Sequence, residues 1–327
     1  MRPYGGLIGK YGVSTTSSTT GIWATAEHSS LRAGNLWPLG GQPPTQRAIF
    51  AYGDQTKFNL VSSAGVVASD SSGAGSTSME MGNCSYGGDK GIFGYGSQGT
   101  SYTNLVSNTG VIASDTAAPG TQRQGTGATT YGMTKGIFAY GCPSGGTFTS
   151  VSNLISDTGV VSTDTTGVGT ARGFLSGVGY GRDKGIFAFG GGPGNRYNVS
   201  NLVSNTGVIA TDSTGVGTGR QTLGACSYGG DKAIFGFGGT AAANTQIGNL
   251  VSNTGVVAND TTLVGTSRRE VAAAGYGGDK GIFGFGYVSS PTAITNLVSN
   301  TGTVATDTAG VGTARYGLGC VGFSFTG

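Results

Sequence analysis

Leu223-Gly224-Ala225-Cys226-Ser227-Tyr228-Gly229-Gly230-Asp231-Lys232-Ala233-Ile234-Phe235-Gly236-Phe237 is followed, after a short polar gap, by Gly248-Asn249-Leu250-Val251-Ser252-Asn253-Thr254-Gly255-Val256-Val257-Ala258-Asn259-Asp260. Two turn signals divide it into four short apolar runs. Gly229 to Lys232 turns one run into the next, and Asn253-Thr254-Gly255 supplies residues that tolerate the positive φ of a tight hairpin. The expectation is four strands in two hairpins: a (223–228), b (233–237), c (248–252) and d (256–259). In strand b, period-two alternation puts Phe235 and Phe237 on one face and Ile234 and Gly236 on the other, so rings of one unit can fill the space beside small residues of the next.

The same phrase recurs along the chain. Its strand-b isoleucine stands at 49, 92, 137, 186, 234 and 282. A four-stranded unit of 43 to 49 residues cannot bury both faces alone, and the radial array that solves this is a β-propeller. Strand a also occurs six times, after Ser78, Arg123, Arg172, Arg220, Arg268 and Arg315, but the two counts are offset. The first strand b (48–52) has no strand a before it, and the last strand a (318–325) has no strand b after it. The fold predicted is therefore all-β: six four-stranded blades, with the C-terminal strand paired into the N-terminal blade to remove the open edges. Residues 1–44 form an arm and 45–327 the propeller.

Composition agrees. Of the 327 residues 66 are glycine and 10% are charged, which suits tight turns and not helices. The net charge of +3 comes from interspersed residues, with no block dense enough to track a phosphate backbone, so nucleic acid is not an expected partner. No apolar run is long enough to span a bilayer and the N-terminus has no signal-peptide core, so no membrane insertion is expected.

Catalytic constellations are sparse. The one histidine, His28, lies in the arm. Cys84, Cys142, Cys226 and Cys320 lack metal-ligand spacing, so free thiols, no metal site and no cofactor are expected. Gly94 to Gly99 spells GxGxxG but runs from strand to strand, not into a helix. Asp70, Asp115, Asp164, Asp212, Asp260 and Asp307 end strand d in every repeat, a ladder that reads as scaffold accepting N–H bonds from the d-to-a connection. The arginines before strand a either brace neighbouring units through carbonyls or line a channel for an anion, and bracing is the preferred reading. Glutamate occurs only at 27, 80 and 270, and no unique carboxylate pair of glycosidase type is expected.

The b-to-c connections (53–57, 96–102, 141–149, 190–197, 238–246 and 286–292) vary in length and chemistry while the other turns stay nearly constant. Recognition is therefore placed on that face, with Tyr102, Phe148, Arg196, Tyr197 and Tyr287 as the residues suited to a sugar or protein partner.

Ahead of the repeats, Thr25 and Gly34 delimit a short helix, with Trp23, Leu31 and Trp37 as docking anchors. The segments Leu7-Ile8-Gly9 and Gly21 to Pro38 resemble a recurring N-terminal segment of tailed-bacteriophage structural proteins, in which Gly-Ile-Trp leads through a short helix to Ala-Gly and Trp-Pro. The repeats resemble kelch repeats in their b-strand glycine and pre-strand arginine, although the usual kelch tryptophan is missing. Together the resemblances imply a non-enzymatic virion protein of the tail, fibre or head surface. It would be made in the bacterial cytoplasm, docked through its arm to other virion proteins, and would present its propeller to a subunit or a host-surface glycan or protein. A free-standing lectin-like propeller and a glycan-cleaving enzyme are the alternatives.

Overall fold

The computed structural model describes residues 46–76, 78–97 and 101–323. The expected arm helix and its anchors Trp23, Leu31 and Trp37 lie outside these residues. The described chain is all-β, without a helix among the described residues.

Six antiparallel sheets of three or four strands follow one another. The first holds β1 (Arg47–Ala51), β2 (Lys57–Val61) and β3 (Ser71–Ser72), and the second β4 (Gly82–Tyr86), β5 (Lys90–Gly94), β6 (Tyr102–Val106) and β7 (Thr116–Ala117). The third holds β8 (Gly127–Tyr131), β9 (Lys135–Gly141) and β10 (Thr149–Ile155). In the fourth, β11 (Ser176–Tyr180) and β12 (Lys184–Ala188) are followed by a two-stranded ribbon, β13 (Gly191–Gly192) and β14 (Asn195–Arg196), before β15 (Ser200–Val203). The fifth holds β16 (Gly224–Tyr228), β17 (Lys232–Gly236), β18 (Ile247–Val251) and β19 (Thr261–Thr262), and the sixth β20 (Ala272–Tyr276), β21 (Lys280–Gly284) and β22 (Thr295–Val298). The C-terminal strand β23 (Gly319–Phe323) pairs with β1, Cys320 opposite Phe50, and so stands where β4 or β16 stands in its own sheet.

Strands a, b and c match the sequence pattern to within a residue, but strand d does not run over 256–259. Ser252 N–H bonds to Val256 O, closing the tight turn, and Val257 makes a single bridge to Val251. The buried Asn249 then interrupts the ladder: its Nδ2 donates to Ala258 O at 3.0 Å and to Asp260 Oδ1 at 2.9 Å, substituting a side chain for strand partners. What remains of a fourth strand is two residues in three sheets and one bridge in each of the others, such as Thr295↔Thr308.

The predicted facing of strand b is also corrected. Phe237 has φ 63°, as do its counterparts within a few degrees (Tyr52, Tyr95, Tyr140, Phe189 and Phe285), and this left-handed residue breaks the alternation. Phe235 therefore packs back on Phe189 of the preceding sheet, while Phe237 turns forward onto Phe283 of the next. The same edge-to-face contact, 5.1–5.5 Å between centroids, occurs at Tyr52–Phe93, Tyr95–Phe138 and Tyr140–Phe187, and Phe285 of the sixth sheet meets Phe50 of the first. Small residues make room for the rings: a Cβ at Gly236 would stand 2.7 Å from the Phe283 ring.

Candidate functional site

Three layers of hydrogen bonding connect neighbouring sheets, and the chemistry left over defines the candidate site. One layer is the arginine–aspartate network. Arg172 is fully buried, with Nε donating to Phe189 O at 2.7 Å, Nη1 to Thr170 O at 3.0 Å and Nη2 to Asn201 Oδ1 at 2.7 Å. Its guanidinium lies 4.3 Å over the Tyr140 ring of the preceding sheet. Asn201 passes the network to Asp212, whose other oxygen accepts from Thr170 Oγ1 and N–H in the linker between sheets. Arg123 and Arg268 repeat this arrangement with Asn153 and Asn296, and Arg315 repeats it toward Asn59 and Thr313 O with its Nε left unpaired. The arginines brace through these bonds, Arg220 through Phe237 O and Thr218 O with its Nη2 and Asn249 Oδ1 left unpaired, and the aspartates accept from the d-to-a connection. Burial lowers the pKa of Arg220 and Arg268 to about 10, whereas the hydrogen bonds hold the aspartate pKa values below the usual range despite partial burial.

At one end of the sheets the a-to-b turns are joined in the same way. Gly181 N–H donates to Asp231 O and Gly229 N–H to Asp279 O in the following sheet. At the other end, the residue two places after Ser78 and after each arginine takes the left-handed conformation: Glu80, Gly125, Phe174, Thr222, Glu270 and Gly317 all have φ between 53° and 65°. Five backbone bonds of 2.7–3.0 Å link the six residues, from Glu80 N–H to Gly317 O through to Glu270 N–H to Thr222 O. They surround a cavity of about 100 Å³ that continues between the small residues of the a strands, among them Gly127, Gly177, Gly224 and Ala273.

Glu80 and Glu270 both line this cavity. Burial, and then the charge of Glu270, raises the Glu80 pKa to about 7. Burial also raises that of Glu270, opposed by Arg269, whose Nε lies 3.3 Å from Glu270 Oε1. The sequence reading expected no unique carboxylate pair, and here the structure corrects it. The signal was present: two of the chain's three glutamates stand at the same repeat position, two residues after Ser78 and Arg268. Sequence alone did not reveal that this position faces a shared cavity.

The b-to-c connections flank the same mouth, because the residue before four of the six ring members bridges to the start of a connection, as in Gln221↔Gly239 and Arg269↔Tyr287. Four of the five predicted recognition residues gather here. Phe148 packs edge-on against the ring residue Phe174, and Tyr287 packs against Tyr316 and beneath the Arg269 guanidinium. Tyr197 bonds through its N–H to Gly190 O. Arg196, with Gln221, Asn244 and Arg269, lines a second cavity of about 260 Å³, and its Nε is buried without a hydrogen-bond partner. Tyr102 is set apart, on β6 beside Asn104 and Asp115.

All four cysteines are buried and free, and burial pushes the Cys84 thiol up to about 12, which suits packing and not nucleophilic chemistry. Among the described residues no three His, Cys, Asp or Glu side chains group as metal ligands, and no helix is long and apolar enough to cross a membrane. Comparison with models of known families and with curated proteins found no match.

Proposed function

We propose that the chain is a six-bladed, kelch-like propeller and a virion structural protein of a tailed bacteriophage, binding a subunit or a host-surface ligand through the face around the Glu80–Glu270 mouth. Six sheets in succession, the β23–β1 pairing and the return contact from Phe285 to Phe50 support the architecture. The observation that carries the binding role is the contrast between a repeated interior and an individualised face. The arginine and aspartate chemistry is spent between sheets, while Phe148, Arg196, Tyr197, Arg269 and Tyr287 differ from sheet to sheet around one mouth. The cavity of about 260 Å³ beside Arg196 and Arg269 suits an anionic group of a partner, such as an acidic sugar. The virion assignment rests on the resemblance of Gly21 to Pro38. Mass spectrometry of purified particles tests it: the protein is expected among the structural components, and its absence would refute the assignment.

The glycan-cleaving alternative gains one specific observation, the coupled pair Glu80 and Glu270. A mouth cavity of about 100 Å³ is nevertheless smaller than the roughly 300 Å³ at which small-ligand pockets begin. Glycan turnover that disappears in both Glu80→Gln and Glu270→Gln would establish the enzyme. Glycan binding without turnover supports the binding module.

A further inference from the structure

Five of the six networks carry a buried arginine, and the second sheet has Ser78 at that position. Everything else in the network is kept. Asn104 Nδ2 donates to Asp115 Oδ1 at 2.8 Å, and Ser76 donates to Asp115 through both N–H and Oγ. Ser78, Asn104 and Asp115 border a cavity of about 10 Å³. Ser78 is 5% exposed, and its Oγ has no hydrogen-bond partner.

The charge balance of this sheet differs from that of its neighbours. In the third, fourth and first sheets an arginine Nη1 stands 3.6–3.9 Å from the aspartate, whereas Asp115 keeps only neutral donors among the described residues. The field is felt nearby. Tyr95 has the opposing charge of Arg123 beside it, but burial and the Asp115 charge both push the Tyr52 phenol upward. Size decides what can enter. Tyr102 occupies the position held by Lys57 in the first sheet and by Val151, Val199, Ile247 and Ile294 in the others, so the remaining space matches one water-sized particle and not a guanidinium.

We infer that this cavity binds a dehydrated monovalent cation of about the size of water, potassium or ammonium, held by Ser78 Oγ, Asn104 Oδ1 and the Asp115 carboxylate. The ion supplies the positive charge that an arginine supplies in the other five sheets. A neutral water would satisfy the oxygens but would not replace the arginine charge missing beside the partly buried Asp115 carboxylate.

Thermal unfolding of the full chain in potassium, ammonium or tetramethylammonium chloride at matched ionic strength tests the site. Potassium and ammonium are expected to raise Tm by about 2–4 °C over the bulky ion. That difference should vanish in Ser78→Ala and in Asp115→Asn. Equal Tm in all three salts, or a difference retained in either folded variant, overturns the inference. Thallous ion soaked into crystals of the unaltered protein gives an answer independent of whether the variants fold. An anomalous peak between Ser78 and Asp115 is expected, and no peak there overturns the site.

Discussion

Replacing Arg172 with alanine removes one brace of the interior and leaves the surface untouched. The guanidinium donates three hydrogen bonds of 2.7–3.0 Å and lies 4.3 Å over Tyr140, all without solvent access to the arginine. Its loss strands Phe189 O and Asn201 Oδ1 in a dry interior and leaves Asp212 without the cation 3.9 Å away. Breaking a buried charge network from one side costs about 3–5 kcal/mol, so about 4 kcal/mol is expected here, a large fraction of typical domain stability. At about 2–4 °C per kcal/mol for a chain of this size class, Tm should fall by about 8–16 °C. Arg172→Lys keeps the charge but not the planar fork and should lie between alanine and the parent. Circular-dichroism melts with urea titrations measure both. A Tm for Arg172→Ala within about 2 °C of the parent would refute the bracing role.

Glu80 makes stability depend on pH in the direction opposite to the aspartate ladder. Its folded pKa of about 7 lies above the ordinary carboxylate value, so the folded state holds the proton more tightly and stability falls as pH rises through about 4.5 to 7. Urea titrations at about pH 5 and about pH 8 should differ by on the order of 2 kcal/mol in the parent, and Glu80→Gln should flatten that difference. The aspartates, with lowered folded pKa values, contribute stability above the ordinary aspartate pKa that is lost only as pH falls through their folded values. Gly217→Ala places a Cβ at φ 78° against Asp260 Oδ1 and should cost about 2–3 kcal/mol, read by urea midpoint. Arg196→Ala and Tyr287→Ala should weaken partner or glycan binding at least tenfold by surface plasmon resonance while shifting Tm by less than about 2 °C.

Much of the fold was legible because each unit repeats its own punctuation. Gly229-Gly230 and Asn253-Thr254-Gly255 mark turns whose chemistry is local, and the offset counts of strands a and b identified β23 as the partner of β1. The role of the arginines was legible for a similar reason, since a fork of donors at every repeat fits carbonyls that also recur at every repeat. The misread features depend on geometry beyond the strand. Nothing in the identity of Phe237 announces a positive φ, because aromatic residues seldom adopt it. Here the forward contact with Phe283 and the Arg268 guanidinium 4.1 Å above the ring hold it. Strand d fails because the Asn249 side chain competes with the ladder, an interaction across nine residues that β-propensity does not report. Glu80 and Glu270 are separated by 190 positions, and only the convergence of the a strands brings them to one cavity.

The Phe285–Phe50 contact and the β23–β1 pairing return the sixth sheet to the first. A crystal structure of the full chain tests this return most directly. The Phe285 ring is expected edge-on to Phe50, with Thr313 bonded to Asp70 and β23 paired with β1 in the Phe50↔Cys320 register. A C-terminal strand detached from β1, or a seventh sheet between the sixth and the first, would contradict it.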